Sequence, residues 1–143
     1  MIITLINNKI IPGKNAKISI LSESFQRGYG VFETLRTFKN KNIFKAKEHI
    51  ERLFRSAKGI TLKITYTQKE IFNMLSTVTK KSPHKLQRLK IIAIKEGIII
   101  TSHPLKEEKE IYEKGVSCMS VICKRSLPEI KSISYLPSML AHE

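Results

Sequence analysis

Tryptophan is missing from this sequence, cysteine occurs only twice, and 12 acidic residues face 26 lysines and arginines. No apolar run approaches the roughly 20 residues needed to cross a bilayer. The opening stretch MIITLINNKIIPGK has neither a basic leader nor a small-residue cleavage site, so no signal peptide is expected and the default location is cytoplasmic. The two cysteines, Cys118 and Cys123, share the apolar segment GVSCMSVICK. In a strand their spacing puts them on opposite faces, which disfavours a disulfide and predicts buried, reduced thiols. The four histidines (His49, His84, His103, His142) are scattered, show no ligand spacing with the cysteines, and predict no metal site. Clustering is also missing from the positive charge. The formal net charge of +14 is spread singly or in pairs between Lys9 and Lys131, with few aromatic residues to stack on bases. It predicts a lysine-rich surface rather than a nucleic-acid-binding one.

What is present is globular: 41% hydrophobic and 27% charged residues, without repeats or low-complexity tracts. A chain of this length can bury roughly 70% of its extended surface. Residues 2–11 read as two short strands around an Asn7-Asn8 turn. The run 31–38, VFETLRTF, alternates Phe32, Thr34, Arg36 and Phe38 with Val31, Glu33, Leu35 and Thr37, as a strand does. A polar turn at 39–42 leads to a return strand starting at Ile43-Phe44. Residues 45–60 form the clearest helix, with Ala46, Ile50, Leu53, Phe54 and Ala57 on one stripe and His49, Arg52 and Ser56 lined along its edge. Glu48–Arg52 and Glu51–Arg55 have the spacing of helical ion pairs, and Gly59 supplies a stop.

Thr67 and Glu70 fit a capping box for a second helix running through Ile71, Phe72, Leu75 and Val78. Strands are predicted at 86–94, 98–102 and 115–123, a loop from Lys124 to Ile130, and a helix start with Pro137 in its first turn. Mixed hairpins and helices of this kind make an α+β fold. The last helix ends almost as it begins, which predicts a truncated chain.

Two side chains bear on chemistry. Lys131 lies between Ile130 and Ile133 just ahead of a helix N-terminus, a setting unlike the openly polar stretches that hold the other lysines. A neutral amine there would suit attack on an aldehyde cofactor, although a snorkelling lysine fits the same flanks. Arg52 reads equally as an exposed partner of Glu48 or as a fork turned toward a phosphate.

Three blocks settle the alternatives by likeness: RGYGVFETLRTF (27–38), EHIERLFRSAKGI (48–60) and LPEIKSISYLPSMLAHE (127–143). In order and approximate separation they resemble the class IV aminotransferases, the fold-type IV pyridoxal-phosphate enzymes that include branched-chain and D-amino acid aminotransferases and aminodeoxychorismate lyase. The resemblance covers essentially the whole chain. It implies that Lys131 is the catalytic, cofactor-holding lysine. It implies that Arg52, in the pattern His49–Leu53, binds the cofactor phosphate, and that Tyr135 stands beside pyridoxal 5'-phosphate. Phe32 would line the substrate pocket, and Lys90, less surely Lys95, would take the place of a substrate-binding arginine. Ser134 departs from the family, which usually has an asparagine there.

The domain division implied is a small N-terminal α/β domain over 1–113, with antiparallel strands and two helices, followed at 114–143 by the truncated start of a larger cofactor-binding domain. The family's carboxylate for the pyridine nitrogen lies downstream of its lysine block. The resemblance therefore predicts an incomplete N-terminal portion of a branched-chain-like aminotransferase, inactive by itself. Its substrates would be an amino acid and a 2-oxo acid, and its partners a second copy in a homodimer or a separately encoded C-terminal half. An aminodeoxychorismate lyase-type enzyme and a non-catalytic dimerisation module are the competing readings.

Overall fold

The computed structural model describes residues 2–106, 109–122 and 126–141, so Cys123, Lys124 and His142 lie outside the described residues. The chain opens with β1 (Ile3–Ile6) and β2 (Lys9–Pro12), joined through Asn7 and Asn8 at φ 45° and 69°. Asparagine tolerates this left-handed backbone, which matches the twist of a two-residue hairpin. The Asn7 side chain also accepts from Ile98 N and donates to Glu96 O, tying this turn to the neighbouring one.

A short helix, α1 (Glu23–Arg27), is capped by Ser22 and stopped by Gly28 at φ 64°. It leads into β3 (Gly30–Arg36), followed by α2 (Ala46–Gly59), α3 (Gln68–Lys81), β4 (Gln87–Ile94), β5 (Gly97–Pro104), α4 (Lys109–Lys114) and α5 (Leu136–Leu140). The predicted capping box starts α3: Thr67 Oγ1 accepts from Glu70 N, and Glu70 Oε2 accepts from Thr67 N at 2.7 Å. Pro137 sits in the first turn of α5, as its position predicted.

The strands form one antiparallel sheet in the order β2-β1-β5-β4-β3. The first strand enters beside the last because β5 returns from β4 through the Glu96-Gly97 turn. Alternation then decides what is buried. Val31, Leu35, Leu89, Ile91, Ala93, Ile98 and Ile100 point to one face, where Ile50, Leu53 and Ala57 of α2 and Ile71, Leu75 and Val78 of α3 cover them. The opposite face of β3, β4 and β5 carries Thr34, Arg88, Lys90 and His103. At the start of β4, on the core face, Gln87 is wholly buried yet satisfied, donating to Thr79 O and His84 O and accepting from Ser102 Oγ.

The α+β class and the order of the main elements agree with the sequence reading. Three local expectations do not. Residues 115–122 form no strand and no helix; Val116, Met119 and Val121 are exposed because no described strand edge is there to pair with them. Cys118 accordingly is exposed, not buried. The return strand at Ile43-Phe44 reduces to a single bridge, Thr37 to Ile43. Among the described residues no helix is long and apolar enough to span a membrane.

Candidate functional site

The free edge of β3 organises the site. It is covered by residues 131–133: Phe32 N donates to Lys131 O at 2.9 Å, Ile133 N donates to Gly30 O at 3.0 Å, and Val31 bridges Ser132. From the other side, Lys131 N donates to Ser56 Oγ of α2 at 3.3 Å. Ile130 plugs this joint, 4% exposed, against the bare backbone of Gly59; a Cβ added there would lie 2.6 Å from Ile130 Cδ1. A segment far along the chain is thereby locked to the strand and the helix that carry the other predicted residues.

On the open face, the Lys131 Nζ lies 4.4 Å from the centroid of the Phe32 ring. Lys90 Nζ lies 4.8 Å from the same centroid, and Tyr135 packs edge-on against that ring with centroids 5.8 Å apart. Two cations and a tyrosine thus share one aromatic anchor, an arrangement favoured by the ring's negative face. A cleft of about 470 Å³ opens here, lined by Phe32, Thr34, Arg88, Lys90, His103 and Tyr135 among others. None of its lining residues is acidic, so the field inside is positive. Burial first, and then the charges of Arg88, Lys90 and His84, hold the His103 imidazole below its ordinary range.

Arg52 sits on the opposite side of β3, and its partner is not the predicted Glu48. Its Nε and Nη2 donate to Glu33 Oε1 and Oε2, both at 2.6 Å, and His49 Nδ1 reaches Glu33 Oε2 at 2.8 Å. Glu33 is 0% exposed, while the Arg52 side chain is 47% exposed. Burial pushes the Glu33 carboxyl up, but the hydrogen bonds and charges of Arg52 and His49 outweigh it and hold the group below the usual carboxylate range. A buried carboxylate has more to lose than an exposed one, which is why Arg52 turns inward to Glu33. The Glu51–Arg55 pair does not form either among the described residues.

The structure brings Lys131, Phe32, Tyr135 and Lys90 together and sets Arg52 of α2 on the other side of β3, against Glu33, the neighbour of Phe32. It leaves Lys95 out: that lysine lies in the β4–β5 turn, 3.0 Å from Glu23. A larger cavity of about 870 Å³ beside this turn touches Tyr135 but includes neither Phe32 nor Lys90, and neither cavity is lined by Arg52 or Lys131, so size does not identify the site. Two contributors went unassigned in the sequence. Glu33 is an acid on an inward-facing strand position, which by itself demands a cation. Arg88 alternates with Leu89 and therefore shares a face with Lys90.

With this geometry in hand, residues 30–143 match the family described as amino-transferase class IV. A Methanocaldococcus jannaschii protein, provisionally assigned as a branched-chain-amino-acid aminotransferase, is 26% identical over 95% of this chain and 53% of its own length. A D-alanine aminotransferase of Listeria monocytogenes is 33% identical over 54% of this chain and 27% of its own. Among solved structures, a "hypothetical aminotransferase" of Mycobacterium tuberculosis in its pyridoxal-phosphate-bound form superimposes with a TM-score of 0.80 at 17% identity, covering 99% of this chain and 57% of that one. The chain spans about half the length, or less, of the curated relatives it matches. From Gly30 onward, strand, helix and lysine segment follow one family pattern, and the chain belongs to the class IV aminotransferases.

Proposed function

We propose that this chain carries the lysine side of the active site of a pyridoxal-phosphate-dependent aminotransferase, which moves an amino group from a branched-chain-like amino acid to a 2-oxo acid. One observation carries the reading: the Lys131 backbone is held between Phe32 N and Ser56 Oγ, which sets its amine beside Phe32, Tyr135 and Lys90.

The residues fit the cofactor. Glu33 uses the Nε and Nη2 edge of Arg52 and leaves the Nη1 side of a half-exposed guanidinium for a phosphate. The Lys131 amine has no hydrogen-bond or ion-pair partner among the described residues and is available to hold the aldehyde carbon. Pyridoxal phosphate, when bound, supplies the electron sink that stabilises negative charge at the substrate α-carbon. Lys131, once released from the aldehyde carbon, would take and return the α-proton, its amine lying 4.4 Å from the centroid of the Phe32 ring that lines the cleft. Phe32 and Tyr135 exclude water from one wall. Lys90 would meet the substrate carboxylate, with Arg88 beside it offering the two-donor fork that a lysine lacks.

The chain covers 53% of the length of its Methanocaldococcus relative, and by that relationship the complete site would draw on further polypeptide, joined to this chain or separately encoded, and on a homodimer partner. The proposal is tested by incubation with pyridoxal phosphate, borohydride trapping and peptide mass spectrometry. The pyridoxyl group is expected on Lys131; labelling of another lysine, or of none, refutes the assignment.

A further inference from the structure

Among the described residues, Glu33 is the most heavily engaged acid. Both of its oxygens are used, by Arg52 Nε and Nη2 at 2.6 Å each and by His49 Nδ1 at 2.8 Å, and its side chain is wholly buried. An isolated charge in that place would be strongly destabilising, so the Arg52 guanidinium and the His49 ring that answer it are held tightly. Stability alone does not require the arrangement seen, because an apolar residue facing Ile50 and Leu53 would bury equally well at this position. What the carboxylate adds is orientation.

A guanidinium is planar and has five N–H donors in fixed directions. Glu33 occupies one edge, Nε–H and one Nη2–H. Of the three donors that remain, one is the second Nη2–H, whose nitrogen also lies 3.4 Å from His49 Nδ1, and the other two are on Nη1. Since β3 fixes the carboxylate and the carboxylate fixes the plane, the direction of the free fork is set before any ligand arrives. Without that clamp a half-exposed arginine would sample many rotamers, and ordering it on binding would cost affinity.

We infer that Glu33 is a positioning residue, which presets the Nη1 edge of Arg52 as a two-donor fork for the phosphate of the cofactor. This rests on the reading of Arg52 as the phosphate ligand, and its consequence is specific. Glu33 should matter for the phosphate and not for the rest of the molecule that bears it.

The experiment compares the full chain and its Glu33→Gln and Arg52→Ala variants, each shown folded by circular dichroism, for equilibrium binding of pyridoxal phosphate and of pyridoxal. The unsubstituted chain is expected to prefer the phosphate ester. In Glu33→Gln the preference should fall about tenfold, the loss of one charge-assisted hydrogen bond's worth of order, with pyridoxal affinity unchanged. If Glu33→Gln does not fold, Glu33→Asp keeps the charge while drawing the guanidinium back, and a reduced preference at unchanged pyridoxal affinity is again expected. An unchanged preference in the Glu33 variant, with Arg52→Ala abolishing it, overturns the inference and leaves the reading of Arg52 intact. A parallel loss for both ligands makes Glu33 merely structural and also overturns it. No preference in the unsubstituted chain, or one that survives Arg52→Ala, overturns both.

Discussion

His103 stands on β5 directly across from Arg88, with Lys90 and His84 close enough to add their charge. Burial and these neighbours disfavour the imidazolium, so the ring stays neutral at pH 7 and should titrate below its ordinary value near 6.5. An NMR titration of the imidazole protons measures this directly, and Arg88→Ala should move the midpoint upward. Glu33 titrates with the opposite charge type but the same consequence for stability at low pH. Its folded-state value is depressed, so its contribution is full above the unfolded value near 4.5 and is lost as pH falls through the folded value. Urea midpoints measured from pH 7 to pH 3 should therefore drop at the acid end, and less steeply in Glu33→Gln. Glu23 and Glu70 are depressed in the same direction, but they are exposed and solvent screens them, so the difference between the two proteins isolates Glu33. At this scale the sequence was partly legible. The alternation of VFETLR puts Glu33 on the same face as Val31 and Leu35, and the helical line His49, Arg52, Ser56 gathers polar side chains along one edge of the helix. That these two features face each other is a fact of packing.

Among elements, the strip 130–133 decides whether there is a site at all. Its backbone bonds to β3 and Ser56 position Lys131, and Ile130 seats the strip against Gly59. Truncating a buried isoleucine of this kind costs about 2–4 kcal/mol. Ile130→Ala should lower the urea midpoint accordingly and weaken pyridoxal-phosphate labelling of Lys131, although no atom of the lysine has changed. At the start of α3, Thr67→Ala should cost about 1 kcal/mol by removing an N-cap, measured in the same denaturation series. That cap, the Asn7-Asn8 turn and both long helices were readable in sequence because each depends on residues within a few positions of one another. The predicted strand at 115–123 was not. Its alternation fits a strand, but a strand exists only where another edge accepts its hydrogen bonds, and the described part, 115–122, finds none.

For the whole molecule, the proposed division into 1–113 and 114–143 predicts where a protease should enter. Residues 115–122 are exposed and carry no regular structure, whereas the sheet and its two helices share one core. Limited trypsin digestion should therefore cut first at Lys114 and leave a resistant fragment ending there; first cuts inside β4 or α2 would contradict the division. The formal charge of +14 acts at this scale too. A gel-shift titration is expected to show no salt-sensitive complex with nucleic acid, since the basic groups gathered on one face, such as Arg88, Lys90 and His103, flank an aromatic-walled cleft rather than a continuous groove.

The sequence by itself determined the family, the α+β class, the long helices, the two alternating faces of β3, and the expected places of Lys131 and Arg52. These follow from periodicity, capping and motif, which are local, and from the order of three blocks, which any member shares. Tertiary structure alone decided that Arg52 answers Glu33 instead of Glu48, that Lys131 and Lys90 meet over one phenylalanine, and that Lys95 belongs to a remote turn. Those outcomes are competitions between partners distant in the chain, decided by which charge is buried and which strand edge is free.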